Sequence, residues 1–168
     1  MSADLDPELM ARAAEVVRAN VVLGRRVAVA ESCTGGLVCA AITAVPGCSA
    51  MFEGGFVTYA DEAKMGWLGV GRDVLETFGA VSIATAWSMA AGALGRSGAN
   101  VAVSVSGIAG PGGGSPAKPV GTVVFGRAIR GSDEAFADMK QFGDLGRDEI
   151  RRQAALCALD LLMPSPTP

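Results

Sequence analysis

Apolar residues recur along the chain in two rhythms. After Asp6-Pro7-Glu8, which supplies an N-cap, a first-turn proline and an early acid, Leu9, Ala13, Val16, Val17 and Asn20-Val21 recur at helical spacing. That spacing predicts an amphipathic helix ending near Gly24. Arg26 to Ala30 is a short valine-rich run, read as a buried strand, and Glu31-Ser32-Cys33-Thr34-Gly35-Gly36 turns it into a second helix, Leu37 to Ala44. Phe56-Val57-Thr58-Tyr59 has the aromatic and β-branched content of another short strand, and Asp61-Glu62 opens a helix carrying Lys64. Asp73 to Phe78 and Ile83 to Leu94 are predicted helices, the second capped by Ser82.

Asn100 to Ser106 alternates and is β-branched, as a central strand would be; a glycine- and proline-rich loop runs from Gly107 to Pro119. Val120 to Ile129 and Glu134 to Phe142 are predicted antiparallel strands around Arg130-Gly131-Ser132-Asp133, and Arg147 to Leu162 a closing helix with Ile150, Ala154, Cys157 and Leu161 inward. Strands and helices mix without strict alternation, so the fold class is α/β with α+β-like character. One domain over residues 1–163 would carry a mixed sheet covered by helices, with 164–168 a disordered tail.

Composition narrows the function. The chain has 168 residues, half of them hydrophobic, enough for one well-buried domain. Its net charge of −3 and lack of a basic run remove the footprint of a nucleic-acid binder and favour a small-molecule partner. The polar amino terminus and the absence of a long apolar run point to a cytoplasmic protein with no membrane segment. Four cysteines without paired spacing, and no histidine, leave no ligand set for a metal.

Without histidine, a general base must be Lys, Asp, Glu, Tyr or a thiolate, which makes a serine activated by lysine a leading possibility. Between Pro46 and Lys64, Ser49, Tyr59 and Lys64 flank Gly54-Gly55 as candidate nucleophile, proton relay and base; otherwise Ser49 caps a turn and Lys64 lies on the surface. A fully extended chain would hold Ser49 and Tyr59 roughly 30 Å apart. Convergence therefore requires Ser49 to Phe52 to coil and Gly54-Gly55 to reverse the chain, or else a site shared across a dimer.

Glu31-Ser32-Cys33-Thr34-Gly35-Gly36 lies where a strand enters a helix, so its N–H groups either receive a phosphate or oxyanion or are capped by Ser32 or Thr34. Cys33 is a rival nucleophile or a small buried hydrophobe. The Ser106–Lys118 loop lacks a P-loop ending, and is otherwise a flexible hairpin connection. Arg147 opens the last helix, where a cation gains nothing from the dipole; it is placed for an anion or simply solvated.

Four ordered blocks resemble the CinA carboxy-terminal domain family: Ala30-Glu31-Ser32-Cys33-Thr34-Gly35-Gly36; Gly54-Gly55-Phe56-Val57-Thr58-Tyr59 with Lys64; Gly79-Ala80-Val81-Ser82; and Ser106-Gly107-Ile108-Ala109-Gly110-Pro111 with Lys118-Pro119-Val120-Gly121-Thr122. The resemblance spans about Glu8 to Leu162 and suggests a form standing without the amino-terminal molybdopterin-binding-like domain of longer members. It implies hydrolysis of the carboxamide of nicotinamide mononucleotide to the acid and ammonia, in pyridine nucleotide salvage, without metal or cofactor, in a homo-oligomer. Ser49, Lys64 and Tyr59 would be catalytic. Glu31, Ser32, Cys33, Thr34, Gly35, Gly36, Ser106, Gly107 and Arg147 would bind substrate, although Gly146 stands where the family has an acid before the arginine. The alternatives are an inactive nucleotide-binding module and an amidase working through Cys33.

Overall fold

The computed structural model describes residues 5–165. The valine-rich run becomes β1 (Val27–Glu31), buried throughout, and it lies between two parallel neighbours, β2 (Phe52–Val57) and β3 (Val101–Gly107). β4 (Thr122–Ile129) and β5 (Phe136–Gln141) extend the sheet antiparallel, giving the order β2-β1-β3-β4-β5. This is the single-domain mixed sheet that the sequence predicts.

Successive strand residues face opposite sides, and the two sides differ in residue size. Val27, Val29, Val101, Val103 and Val105 pack beneath α1 (Pro7–Val22), α2 (Leu37–Thr43) and α6 (Arg147–Leu162). Ala28, Ala30 and Ala102 turn toward α3 (Asp61–Leu68), α4 (Arg72–Phe78) and α5 (Ile83–Gly95). Small residues on this second side let α5 approach closely. The Ser104 hydroxyl donates to the Ala86 carbonyl at 2.5 Å, and a β-carbon on Gly126 would collide with the same carbonyl. A β-carbon on Gly92 would likewise meet the Leu68 carbonyl of α3.

The predicted caps form: Asp6 accepts from the Glu8 and Leu9 N–H groups, both at 3.1 Å, and Ser82 accepts from Thr85 N–H at 3.1 Å. Two expectations fail. Gly54-Gly55 do not reverse the chain but pair with Ala28 and Val29 inside β2, which begins at Phe52. Gly55 is needed for packing, because a β-carbon there would overlap the Cys39 sulfur of α2. In α6, Cys157 and Leu161 are half-buried, whereas Ile150, Ala154, Ala155, Ala158, Leu159 and Leu162 are buried. The buried face is rotated and wide because α6 packs on α1 and α2 as well as on β3. Of the predicted tail, residues 166–168 lie outside the described residues.

The connection through α2 carries β1 to β2 over one face, and α3, α4 and α5 carry β2 to β3 over the other. The chain thus leaves β1 over one face and β2 over the other, a connectivity in which ligands usually lie beyond the carboxyl ends of the parallel strands.

Replacing Gly126 by alanine is expected to destabilise the protein by about 1–3 kcal/mol through overpacking, while Gly54→Ala, with nothing within 4 Å of the added carbon, should change stability far less. Urea unfolding of both variants checks this; equal, small effects would show that α5 can shift.

Candidate active site

Two residues are fixed side by side just past the parallel strands. Ser32 N–H donates to the Val105 carbonyl at 2.9 Å and Thr58 N–H to the Glu31 carbonyl at 2.8 Å, each continuing a strand ladder by one residue. Glu31 itself is fully buried and points under the turn that follows. One carboxylate oxygen accepts from the Thr34 hydroxyl (2.6 Å) and from Gly36 and Val38 N–H (3.0 and 3.2 Å), the other from Cys39 N–H (2.8 Å). Those N–H groups open α2 and would otherwise lack partners.

Capping is therefore done by Glu31, not by Ser32 or Thr34 side chains, and the first turn of α2 is not available to a ligand. Gly35 and Gly36 have φ of 60° and 95°, the left-handed region that favours glycine. The N–H groups of Cys33 and Thr34, within the turn, have no acceptor among the described residues.

Lys64 is 1% exposed. Its Nζ reaches from α3 to within 3.1 Å of Ser32 Oγ, 2.9 Å of the Thr58 carbonyl and 3.1 Å of the Tyr59 carbonyl. Burial lowers its pKa, opposed by the Asp61 carboxylate 3.8 Å away, which is itself half exposed. As an ammonium, Lys64 donates to all three oxygens. Once deprotonated, it keeps two N–H bonds to the carbonyls and has one lone pair left, facing the Ser32 hydroxyl.

The partner of Lys64 is thus Ser32 and not Ser49. Ser49 is exposed in a 3₁₀ turn, Cys48–Ala50, before β2, while Lys64 attends the far end of that strand. Six residues of β2 hold them roughly 20 Å apart at about 3.3 Å each. The coiling expected near Ser49 is present, but the reversal that would bring it to Lys64 is not. Ser32 and Lys64 meet within one chain.

Tyr59 reaches Lys64 through its carbonyl alone. The residue is 57% exposed and its hydroxyl accepts from Arg147 Nη2 at 3.0 Å, so the expected proton relay to Lys64 is not formed. Arg147 also donates to the Gly110 carbonyl (2.8 Å), and Arg151 to the Thr34 carbonyl (2.9 Å). The Ser106 hydroxyl is buried and donates to the Ala80 carbonyl at 2.9 Å; Gly107 is packed against Thr122 and Val123. Ser106 thereby ties the segment before α5 to β3, while Gly107 lies in the ladder between β3 and β4. The Cys33 thiol is pushed up to about 12, by burial first and by Glu31 in addition, which leaves little thiolate for nucleophilic attack.

Sequence reasoning overlooked Thr58 and Arg151 and treated Ser32 as a binding residue. The available signal was positional: Ser32 follows a buried strand directly, at the strand-turn-helix junction where nucleophiles can be exposed.

The model of the CinA C-terminal domain matches residues 10–165. The chain belongs to the CinA C-terminal domain family. A putative competence-damage inducible protein of Caldicellulosiruptor bescii is 50% identical over 137 residues, 82% of this chain and 33% of that one. A protein of Enterobacter agglomerans named nicotinamide-nucleotide amidohydrolase PncC is 51% identical over 145 residues, covering 86% and 87%. The crystal structure of competence/damage inducible protein CihA from Agrobacterium tumefaciens has a TM-score of 0.92 at 46% identity, covering 95% and 96%. The chain spans about a quarter to a third of the length of several curated CinA-like and competence-damage inducible relatives it matches. Among the described residues of this CinA domain no helix is long and apolar enough to cross a membrane.

Burial of Lys64 has a thermodynamic signature. An unfolded lysine holds its proton to about pH 10.4, and folded Lys64 releases it sooner. Between those two pKa values the unfolded chain binds more protons, so stability rises with pH; below the folded pKa the contribution is absent. The stability of the wild type relative to Lys64→Met should therefore grow with pH in that window, as read by urea unfolding. A difference that stays flat or falls would show that the amine is not held neutral.

Proposed function

We propose that this CinA domain hydrolyses the carboxamide of nicotinamide mononucleotide, with Ser32 as nucleophile and Lys64 as base. The observation that carries this reading is the 3.1 Å approach of Lys64 Nζ to Ser32 Oγ in a site where burial favours the neutral amine. The PncC relative supplies the substrate. In the first step Lys64 takes the Ser32 proton as Oγ bonds to the amide carbon. The resulting oxyanion is received by the N–H groups of Cys33 and Thr34. Lys64, now an ammonium, protonates the amide nitrogen; the C–N bond breaks and ammonia leaves an acyl-Ser32 ester. Water then attacks the ester, giving its proton to Lys64, and collapse releases the carboxylic acid and restores the serine.

Glu31 holds the turn through its four bonds and touches no reacting atom. Tyr59 contributes the carbonyl that keeps Lys64 aimed.

Ser32→Ala and Lys64→Ala are each expected to reduce ammonia release by at least about a thousandfold, and the double variant by little more, because members of one catalytic unit do not add. Lys64→Arg should fail as well, since guanidinium keeps its proton. Ser49→Ala should be close to wild type. Loss of activity in Ser49→Ala with retention in Ser32→Ala would overturn the assignment. Wild-type protein that binds the mononucleotide yet releases no ammonia would instead be a binding module. Dialysis against a chelator should leave the rate unchanged; a loss restored by a divalent ion would contradict the scheme.

A further inference from the structure

Every buried hydroxyl around the site has a task in the resting protein except one. Thr34 donates to Glu31, Ser82 and Thr85 bond to each other and to the Gly79 carbonyl, and Ser104 and Ser106 donate to the Ala86 and Ala80 carbonyls. Thr58 is fully buried, yet its Oγ1 has no hydrogen-bond partner among the described residues. Arg127 Nε is the other buried side-chain atom left in that state, but its guanidinium lies 5.2 Å from the centre of the Phe136 ring, whose face receives the charge. The Thr58 hydroxyl has no such substitute. A valine would fill the same volume with no polar atom to desolvate, so the hydroxyl lowers the stability of the resting protein. An orphan of this kind calls for a partner met at another stage.

Strand register places the hydroxyl at the reaction. Glu31 pairs with Val57 in the parallel ladder and Thr58 N–H donates to the Glu31 carbonyl at 2.8 Å, so Ser32 and Thr58 are the next cross-strand neighbours. Adjacent strands lie about 4.8 Å apart. Ala30 and Phe56 pack on the side of α3 and α5, and two residues further along each strand Ser32 and Thr58 face the same way. Lys64 arrives there from α3, its Nζ 3.1 Å from Ser32 Oγ and 2.9 Å from the Thr58 carbonyl. The backbone of Thr58 is thus fully engaged, with its N–H on Glu31 and its carbonyl on Lys64. Only its side chain is spare.

As Ser32 Oγ bonds to the amide carbon it withdraws from Nζ, and the leaving nitrogen must take the vacated place to be protonated. We infer that the Thr58 hydroxyl receives that nitrogen: Oγ1 accepts one N–H of the tetrahedral intermediate and turns the nitrogen lone pair toward the Lys64 ammonium. Lys64 gives up its proton, the electron pair of the C–N bond goes to nitrogen, and ammonia departs with that proton and its two original hydrogens. Thr58 changes no covalent bond. An acceptor here distinguishes an amide, whose leaving atom carries hydrogens, from an ester, whose leaving oxygen carries none. Thr58 is therefore a catalytic residue that determines specificity for the amide. This rests on the amidase reading.

Thr58→Val keeps the shape and removes the acceptor. Its kcat/KM for nicotinamide mononucleotide, which reads the steps up to ammonia release, should fall roughly 3- to 10-fold, the size expected for one hydrogen bond. For the methyl ester of nicotinic acid mononucleotide it should stay within about twofold of wild type. Thr58→Ser, with a hydroxyl again present, should recover most of the amide rate. Because an unpaired buried group is removed, Thr58→Val should unfold at the same or a higher urea concentration than wild type. Equal losses on amide and ester, or a rate loss accompanied by lower stability and not recovered by serine, would overturn the assignment and leave Thr58 a packing residue. If wild type does not turn over the ester, the amide rates and urea midpoints of the two variants decide alone. Unchanged amide hydrolysis in Thr58→Val would overturn this role only, whereas wild type that releases no ammonia would overturn the amidase reading and this role together.

Discussion

Burying the Lys64 amine is the constraint on which the rest of the site depends. An amine without water must find hydrogen-bond partners within reach, and here these are two successive carbonyls, Thr58 and Tyr59, together with one hydroxyl, Ser32. The two carbonyls exist at that place because the chain leaves β2 just beyond its last ladder bond. The hydroxyl exists there because β1 runs parallel to β2 and ends at the same level. An antiparallel pairing of these strands would have put the start of one beside the end of the other. The parallel βαβ arrangement is thus what turns two distant sequence positions into one pair.

A second buried charge shapes the opposite side of the same turn. Glu31 places its two oxygens on the Thr34 hydroxyl, the Gly36 N–H and the Val38 and Cys39 N–H groups of α2, so the turn is held from inside while the Cys33 and Thr34 N–H groups stay free. From the other face, α3 brings Lys64 in, and α3 is itself held by close contact with α5 at Gly92. Small residues along β1, β3 and α5 are thereby linked to the chemistry: they set how deep the helices sit, and that depth sets where Nζ ends. Arg147 and Arg151 close the arrangement by tying α6 to Gly110, Tyr59 and Thr34.

Much of this architecture was legible in the sequence, because the helices announce themselves through caps and periodicity. Asp6 and Ser82 are examples, as is the valine-rich β1 with its glycine turn. The absence of histidine drew attention to Lys64, which the fold buries beside Ser32. Its partner was not. Gly54-Gly55 carries the local signature of a break, yet tertiary packing against Cys39 makes it the interior of a strand, and reading it as a reversal drew attention to Ser49. Pairing of Ser32 with Lys64 depends on strand order and direction, which no local pattern encodes. Arg151 went unnoticed for a similar reason, since its place over Gly35 follows from how α6 lies across the sheet.

The most direct test of the account is to find which atom carries the acyl group. Wild-type protein would be mixed with nicotinamide mononucleotide, quenched in acid within the first turnovers, digested and analysed by mass spectrometry. The account predicts an acyl ester on Ser32, absent from Lys64→Ala protein. An adduct on Ser49 or Cys33, or one on Ser32 that forms equally fast without Lys64, would contradict it.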